Sequence, residues 1–125
     1  SSAASDVYKR QTKSFAITAY DPDAPTGSGF WHWVAFNIPA SVSELPRAVN
    51  IEKLGGKESR IDYGTVGFGG VCPPEADGMH RYQFTVWALP TEKLNLDENT
   101  PAAVVGFTLN SMALDKAKLT ATYTR

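Results

Sequence analysis

Apolar and polar positions follow a two-residue period in three parts of the chain, residues 14–20, 81–89 and 119–124. This alternation predicts β-strands, the first of them with at least one buried face. Residues 30–38, FWHWVAFNI, are instead an almost unbroken run of aromatic and β-branched side chains, which predicts a strand buried on both faces. We therefore expect four strands.

The segment 99–114 shows the longer period of a helix, with Val105, Leu109 and Met112 on one face. The Asn-Thr-Pro sequence at 99–101 predicts the start of this helix, because a capping side chain is followed by proline at the first turn.

The remaining segments are predicted to be loops. Residues 40–63 show no clear period, and residues 64–74 contain too many glycines and prolines for a helix or a central strand. Strands do not alternate regularly with helices, which excludes a βαβ series. The sequence thus predicts one mainly β domain of the α+β kind, with an antiparallel sheet and a single C-terminal helix.

The composition argues against a nucleic-acid-binding protein and gives no sign of a membrane span. The chain has 125 residues, of which 42% are hydrophobic, and 12 basic side chains balance 13 acidic ones. A chain this close to neutral has no excess of positive charge with which to bind a nucleic-acid backbone. No apolar run approaches the roughly 18 residues of a membrane span.

Residues 1–11, SSAASDVYKRQ, form a Ser/Ala-rich stretch with a short basic patch and no period that links it to the rest. We expect this leader to be non-native, a scar of cloning or sequence assembly. The domain then comprises residues 12–125 and lacks its N-terminal strands. Four strands with polar edges do not easily close a core, which agrees with this expectation.

Cys72 is the only cysteine, so the chain cannot form an internal disulfide. Three interpretations stay open. It is a small semi-buried thiol, a half-cystine whose partner lay upstream, or a reactive nucleophile. The second would imply an oxidising compartment.

Candidate chemistry is concentrated around His32 and His80, the only histidines, each beside an aromatic residue and near a turn rich in glycine or proline. Imidazole changes its charge near neutral pH and donates from both nitrogens when protonated. Asp21 follows the first strand directly, and a nearby carboxylate favours the charged imidazole. The glycines of residues 67–71 offer backbone N–H groups to an anion. We expect these groups to form one composite pocket.

Two spaced motifs carry a family resemblance. Residues 21–25, DPDAP, with Trp31-His32, and residues 73–82, PPEADGMHRY, resemble the phosphatidylethanolamine-binding protein family, above all its bacterial, Raf-kinase-inhibitor-like branch. The similarity runs from about Thr12 to the C-terminus. It implies a central antiparallel sheet, a smaller second sheet, and an anion pocket for phosphate or phosphorylated head groups at one end of the central sheet.

Carried over to this chain, the resemblance implies the following ligand-binding residues: Asp21, His32, Gly70, Pro73, Pro74, His80 and Tyr82. The expected pocket wall is formed by Asp23, Pro25, Phe30, Trp31 and Phe68. No catalytic residue, metal or cofactor is expected.

The expected function is therefore non-catalytic binding of phosphate or a phosphorylated small molecule. One alternative is an inhibitor that binds a protein kinase or protease through its surface. A less favoured one is a hydrolase that uses Cys72 with His80, or a metal held by His32, His80 and Asp21. A homodimer stays open, as does the choice between cytoplasm and periplasm, with Cys72 favouring the periplasm.

Overall fold

The computed structural model describes residues 11–24, 26–42, 50–69 and 80–123, except for the side chains of residues 80, 119 and 121–123. These residues form one antiparallel sheet of five strands in the order β3-β2-β1-β4-β5. The strands are β1 (Ser14–Asp21), β2 (Phe30–Pro39), β3 (Lys57–Glu58), β4 (His80–Leu89) and β5 (Asp115–Tyr123). One helix follows β4, α1 (Ala102–Met112).

The mainly β prediction is confirmed, and the three longest predicted strands start and end within one residue of the observed bounds. One strand was missed, and the predicted start of the last strand was wrong. The strand β3 has only two residues, too few for a periodic signal, and it pairs with Ala35 and Phe36 of β2. The last strand begins at Asp115 rather than 119, because its exposed lysines pair with β4 without marking an apolar face.

The smaller second sheet is not found among the described residues, which add only an isolated bridge between Arg60 and Val66 to the five-stranded sheet. The predicted side-chain cap of the helix was also wrong. Pro101 itself occupies the N-cap, without a capping side chain. Thr100 Oγ1 instead accepts a hydrogen bond from Asp97 N at 3.1 Å.

Apolar side chains pack on both faces of the sheet. On one face, α1 contributes Val105 and Leu109 to a core that includes Phe36 and Leu89 of the sheet. We call this face the helix side. On the other face, Ile17 of β1 belongs to a smaller cluster, which includes Ala35, Ile38 and Ile51. Burial on both faces explains why β2 reads as a continuous apolar run.

Candidate functional site

A β-bulge in β2 sets the direction of the His32 side chain. Trp31 lies opposite Tyr20 of β1, whereas Trp33 lies opposite Ala19, so His32 is an extra residue between two paired positions. A bulge bends a strand locally and changes where its side chains point. His32 thereby joins the face away from the helix side, together with Phe30.

Among the described residues, three aromatic rings contact the His32 imidazole. Its ring centroid lies 5.0 Å from that of Phe30, 5.2 Å from that of Tyr82 and 5.6 Å from that of Tyr63. Tyr82 and Tyr63 meet the imidazole edge-on. Only 4% of His32 is exposed, so the imidazole is held in a largely water-free setting.

Asp21 and Tyr82 belong to the same face. Asp21 pairs with Phe30, and cross-strand partners point to the same side of a sheet. Tyr20 pairs with Gln83, so one further step along the ladder brings Asp21 beside Tyr82. Both are almost fully buried, at 2% and 1% exposure. The structure therefore brings together a carboxylate, an imidazole and a phenol, which we call the His32 cluster.

The turn after β1 fixes this carboxylate. Asp21 Oδ1 accepts a hydrogen bond from the Asp23 backbone N at 2.8 Å, an arrangement typical of aspartate at a turn. The carboxylate of Asp23 binds Arg81 on β4. This hydrogen bond raises the pKa of Arg81 above its ordinary value, with the charge of Asp23 adding to the effect. Asp23 thus links two strands beside the cluster.

Two predicted wall residues lie elsewhere. Trp31 was expected in the pocket wall, but its ring packs on the helix side, 4.5 Å from that of Tyr20 and against Gly106. Successive side chains of a strand point to opposite faces, which separates Trp31 from its neighbour His32. Phe68, half-exposed, contacts Trp33, with ring centroids 5.6 Å apart, and has no ring contact with His32.

Sequence reasoning missed Tyr63. Its ring lies 4.7 Å from that of Phe30 and is 47% exposed, so it closes the His32 cluster on the solvent side. The backbone N of Gly69 donates to the His32 carbonyl at 2.8 Å, which brings this loop onto β2. A Cβ on Gly69 would lie 2.4 Å from the Tyr63 ring, so this contact requires glycine. No local pattern marks such a loop tyrosine.

The other predicted residues fall outside the described part: Pro25, Gly70, Cys72, Pro73 and Pro74, together with the side chain of His80. Among the described residues, no group of three or more His, Cys, Asp or Glu side chains is arranged to hold a metal ion. The His32 cluster can instead donate hydrogen bonds from imidazole and phenol to a small anion, and accept one at Asp21.

A family model described as phosphatidylethanolamine-binding protein matches residues 3–124. The chain belongs to the phosphatidylethanolamine-binding protein family. The resemblance found in the sequence is confirmed by this match. Whether residues 1–11 are native stays a prediction.

Bacterial relatives agree with this membership. The chain is 51% identical over 117 residues to the UPF0098 protein YbcL of Escherichia coli K12, and 44% identical over 116 residues to YbhB of the same strain. These alignments cover 90% of the chain, but 64% of YbcL and 73% of YbhB. The chain therefore spans slightly less than two thirds of the first of these relatives.

Solved structures show the same fold. The crystal structure of Escherichia coli YbcL, described as a new member of the mammalian family, matches with a TM-score of 0.85 at 50% identity, covering 92% of this chain and 73% of that one. The Chlamydia trachomatis homologue CT736 matches with a TM-score of 0.78 at 25% identity, over 93% of this chain and 74% of that one. In the described part of this family member, no helix is long and apolar enough to cross a bilayer.

Proposed function

We propose that this family member is a non-catalytic binding protein whose His32 cluster holds phosphate or the phosphate group of a small molecule. The observation that carries the proposal is the bulge at His32, which turns a buried imidazole into contact with Tyr82 on the face that also carries Asp21. Burying a polar side chain costs free energy unless it is hydrogen-bonded, and burying a charge costs more unless it is paired.

The chemistry follows from the three groups. A protonated imidazole and the Tyr82 hydroxyl donate hydrogen bonds to phosphate oxygens, and charge-assisted bonds are about twice as strong as neutral ones. Asp21 favours the protonated imidazole or accepts from a cationic part of the ligand. The rings of Phe30 and Tyr63 exclude water, and the lower local dielectric strengthens these bonds.

The family resemblance extends the proposed site. It adds Gly70, Pro73, Pro74 and His80 as ligand-binding residues and Pro25 as a wall residue. Inhibition of a protein kinase or protease stays a prediction, because no contact among the described residues identifies such a partner. The Cys72 hydrolase and the homodimer likewise stay predictions.

Calorimetric titration with inorganic phosphate tests the proposal. Tyr82→Phe removes a single hydroxyl from the cluster, and we expect about tenfold weaker binding. His32→Asn removes the cationic donor, so its loss should be at least as large. Tyr20→Phe is the matched control, because its hydroxyl bonds the Ser28 carbonyl near the turn and its ring lies on the helix side.

Saturable phosphate binding that is weakened by both cluster variants and unchanged in Tyr20→Phe supports the proposal. The absence of saturable binding, or equal affinity in all variants, would reject it. Thermal unfolding of each variant separates a binding defect from a loss of fold.

A further inference from the structure

A cleft lies on the helix side of the sheet, the face opposite the His32 cluster. Its volume is about 280 Å³. Asn110 of α1 lines one side and Lys116 and Lys118 of β5 line the other, with side chains of β1 and β4 between them. Pockets for drug-sized ligands measure about 300–1,000 Å³, so this cleft suits a smaller molecule.

The charge of the cleft is positive. Lys116 and Lys118 are two positions apart in β5, so their side chains leave the same face roughly 7 Å apart along the strand. Among the described residues, no aspartate or glutamate lines the cleft, and neither lysine forms a salt bridge. Two uncompensated ammonium groups favour an anionic ligand.

Three aromatic side chains supply the apolar surface. The Lys116 ammonium lies 5.1 Å from the Trp87 ring centroid, within range of a cation–π contact. Trp87 Nε1 already donates to Thr18 Oγ1 at 3.0 Å, and the Tyr20 hydroxyl donates to a backbone carbonyl. Trp31 packs beside Tyr20. With their polar atoms bonded, Trp87 and Tyr20 present mainly ring carbon to the cleft.

Neutral polar side chains also line the cleft. Gln83 and Thr85 of β4 line the cleft, and neither side chain makes a hydrogen bond to another residue in the described ranges. An amide and a hydroxyl in an aromatic, cationic cleft can orient a flat ligand by hydrogen bonds to its edge.

We propose that this cleft binds a small anion that carries an aromatic ring, such as an aryl carboxylate or aryl phosphate. The two lysines bind the charged group, and the ring packs against Trp87, Tyr20 and Trp31. This site is separate from the His32 cluster, which lies on the other face of the sheet. The His32 cluster is proposed to bind phosphate whether or not the ligand carries an aromatic ring.

Phenylacetate is the probe, because it combines an aromatic ring with a carboxylate and carries no phosphate. Acetate and benzyl alcohol separate the two features. We expect phenylacetate to bind the full chain at one site in ligand-observed NMR at low salt. Each control compound lacks one of the two features and should bind at least about tenfold more weakly.

The lysines provide the decisive variants. Lys116→Met and Lys118→Met should each weaken phenylacetate binding about fivefold, and the double variant should abolish it. Lys93→Met is the matched control, since Lys93 is exposed and lies outside the cleft. These changes are at the surface, so the variants should fold, which thermal unfolding verifies.

A variant that disrupts one proposed site should leave binding at the other site intact. His32→Asn should keep phenylacetate binding, and the double lysine variant should keep phosphate binding. No phenylacetate binding, unchanged affinity in the double lysine variant, or loss of binding in His32→Asn would each overturn the cleft proposal.

Discussion

The carboxylate of Asp23 binds the guanidinium of Arg81 at two points, each 2.9 Å long, and also accepts the Arg81 backbone N–H at 2.8 Å. Asp23 follows β1 by two residues, and Arg81 precedes Tyr82 in β4. The pair therefore fixes the turn that carries Asp21 against the strand that carries Tyr82. It thus holds Asp21 and Tyr82, two residues of the proposed phosphate site, close to each other.

We expect Asp23→Asn and Arg81→Lys to weaken phosphate binding and to lower the thermal midpoint. Lysine cannot reproduce the planar, two-point contact of arginine. Because the two residues act as a pair, the double variant should be little worse than either single one. Additive effects in calorimetry and thermal unfolding would contradict this coupling.

Arg81 of this pair should add no pH dependence to phosphate affinity near neutral pH. Its pKa is raised by Asp23, and a raised pKa stabilises the fold until the pH approaches the alkaline range of the guanidinium. That range lies far above neutral pH. Phosphate affinity in wild type and Arg81→Lys should therefore change with pH in parallel near neutrality, and a divergence would contradict this assignment.

The hydrogen bond from Trp87 Nε1 to Thr18 Oγ1 is buried, with both residues at most 5% exposed. Trp87→Phe leaves the threonine hydroxyl without its donor and a void beside it. We expect a loss of about 2–3 kcal/mol in unfolding free energy, measured by urea denaturation. Thr18→Val should cost about 1–3 kcal/mol, and the double variant less than the sum. A strictly additive cycle would show that this bond contributes nothing.

Gly106 lies inside α1, where alanine normally favours a helix by about 1 kcal/mol. A Cβ there would lie 2.7 Å from Trp31 Cη2. Overpacking costs about 1–3 kcal/mol, so we expect Gly106→Ala to destabilise the protein despite its better helix propensity. In a Trp31→Phe background the same change should be neutral or stabilising in urea denaturation. Stabilisation in the wild-type background would refute the packing argument.

Asn37 has a left-handed backbone, with φ of 59°, and is 8% exposed. Its Oδ1 accepts the Leu94 N–H at 2.6 Å, which ties the loop after β4 to β2. Asn37→Ala should cost about 2–4 kcal/mol, from the lost bond and the unfavourable φ together. Asn37→Gly loses the bond but relieves φ, so it should cost about 1 kcal/mol less. If Asn37→Gly costs more than Asn37→Ala, backbone strain does not contribute to the loss.

Sequence patterns predicted the elements whose side chains alternate over many residues. Residues 14–20 alternate along the strand, and the adjacent residues Ala16 and Ile17 belong to the clusters on opposite faces of the sheet. The start of β5 at Asp115 was missed because its side chains face solvent, so pairing with β4, rather than burial, defines it.

The sequence named three residues of the candidate site but not their arrangement, and their binding role stays a prediction. Asp21, His32 and Tyr82 were recognised by residue type and motif, and the structure brings them to one face. Trp31 was wrongly assigned to that face, because it adjoins His32 in the sequence motif, whereas successive side chains of a strand point to opposite faces. Tyr63 was missed because its contact depends on a loop that folds back through Gly69.

The most direct test of the central claim is imidazole NMR during titration with phosphate and with sulfate, whose charge does not change near neutral pH. The protein has two histidines, so one His80→Asn variant assigns both signals. We predict that the His32 signals shift in a saturable manner with either anion, and that sulfate affinity falls as the pH rises from about 5 to about 8 and the imidazole loses its proton. Unmoved His32 signals at saturating anion, or a sulfate affinity that is flat over this range, would contradict the account.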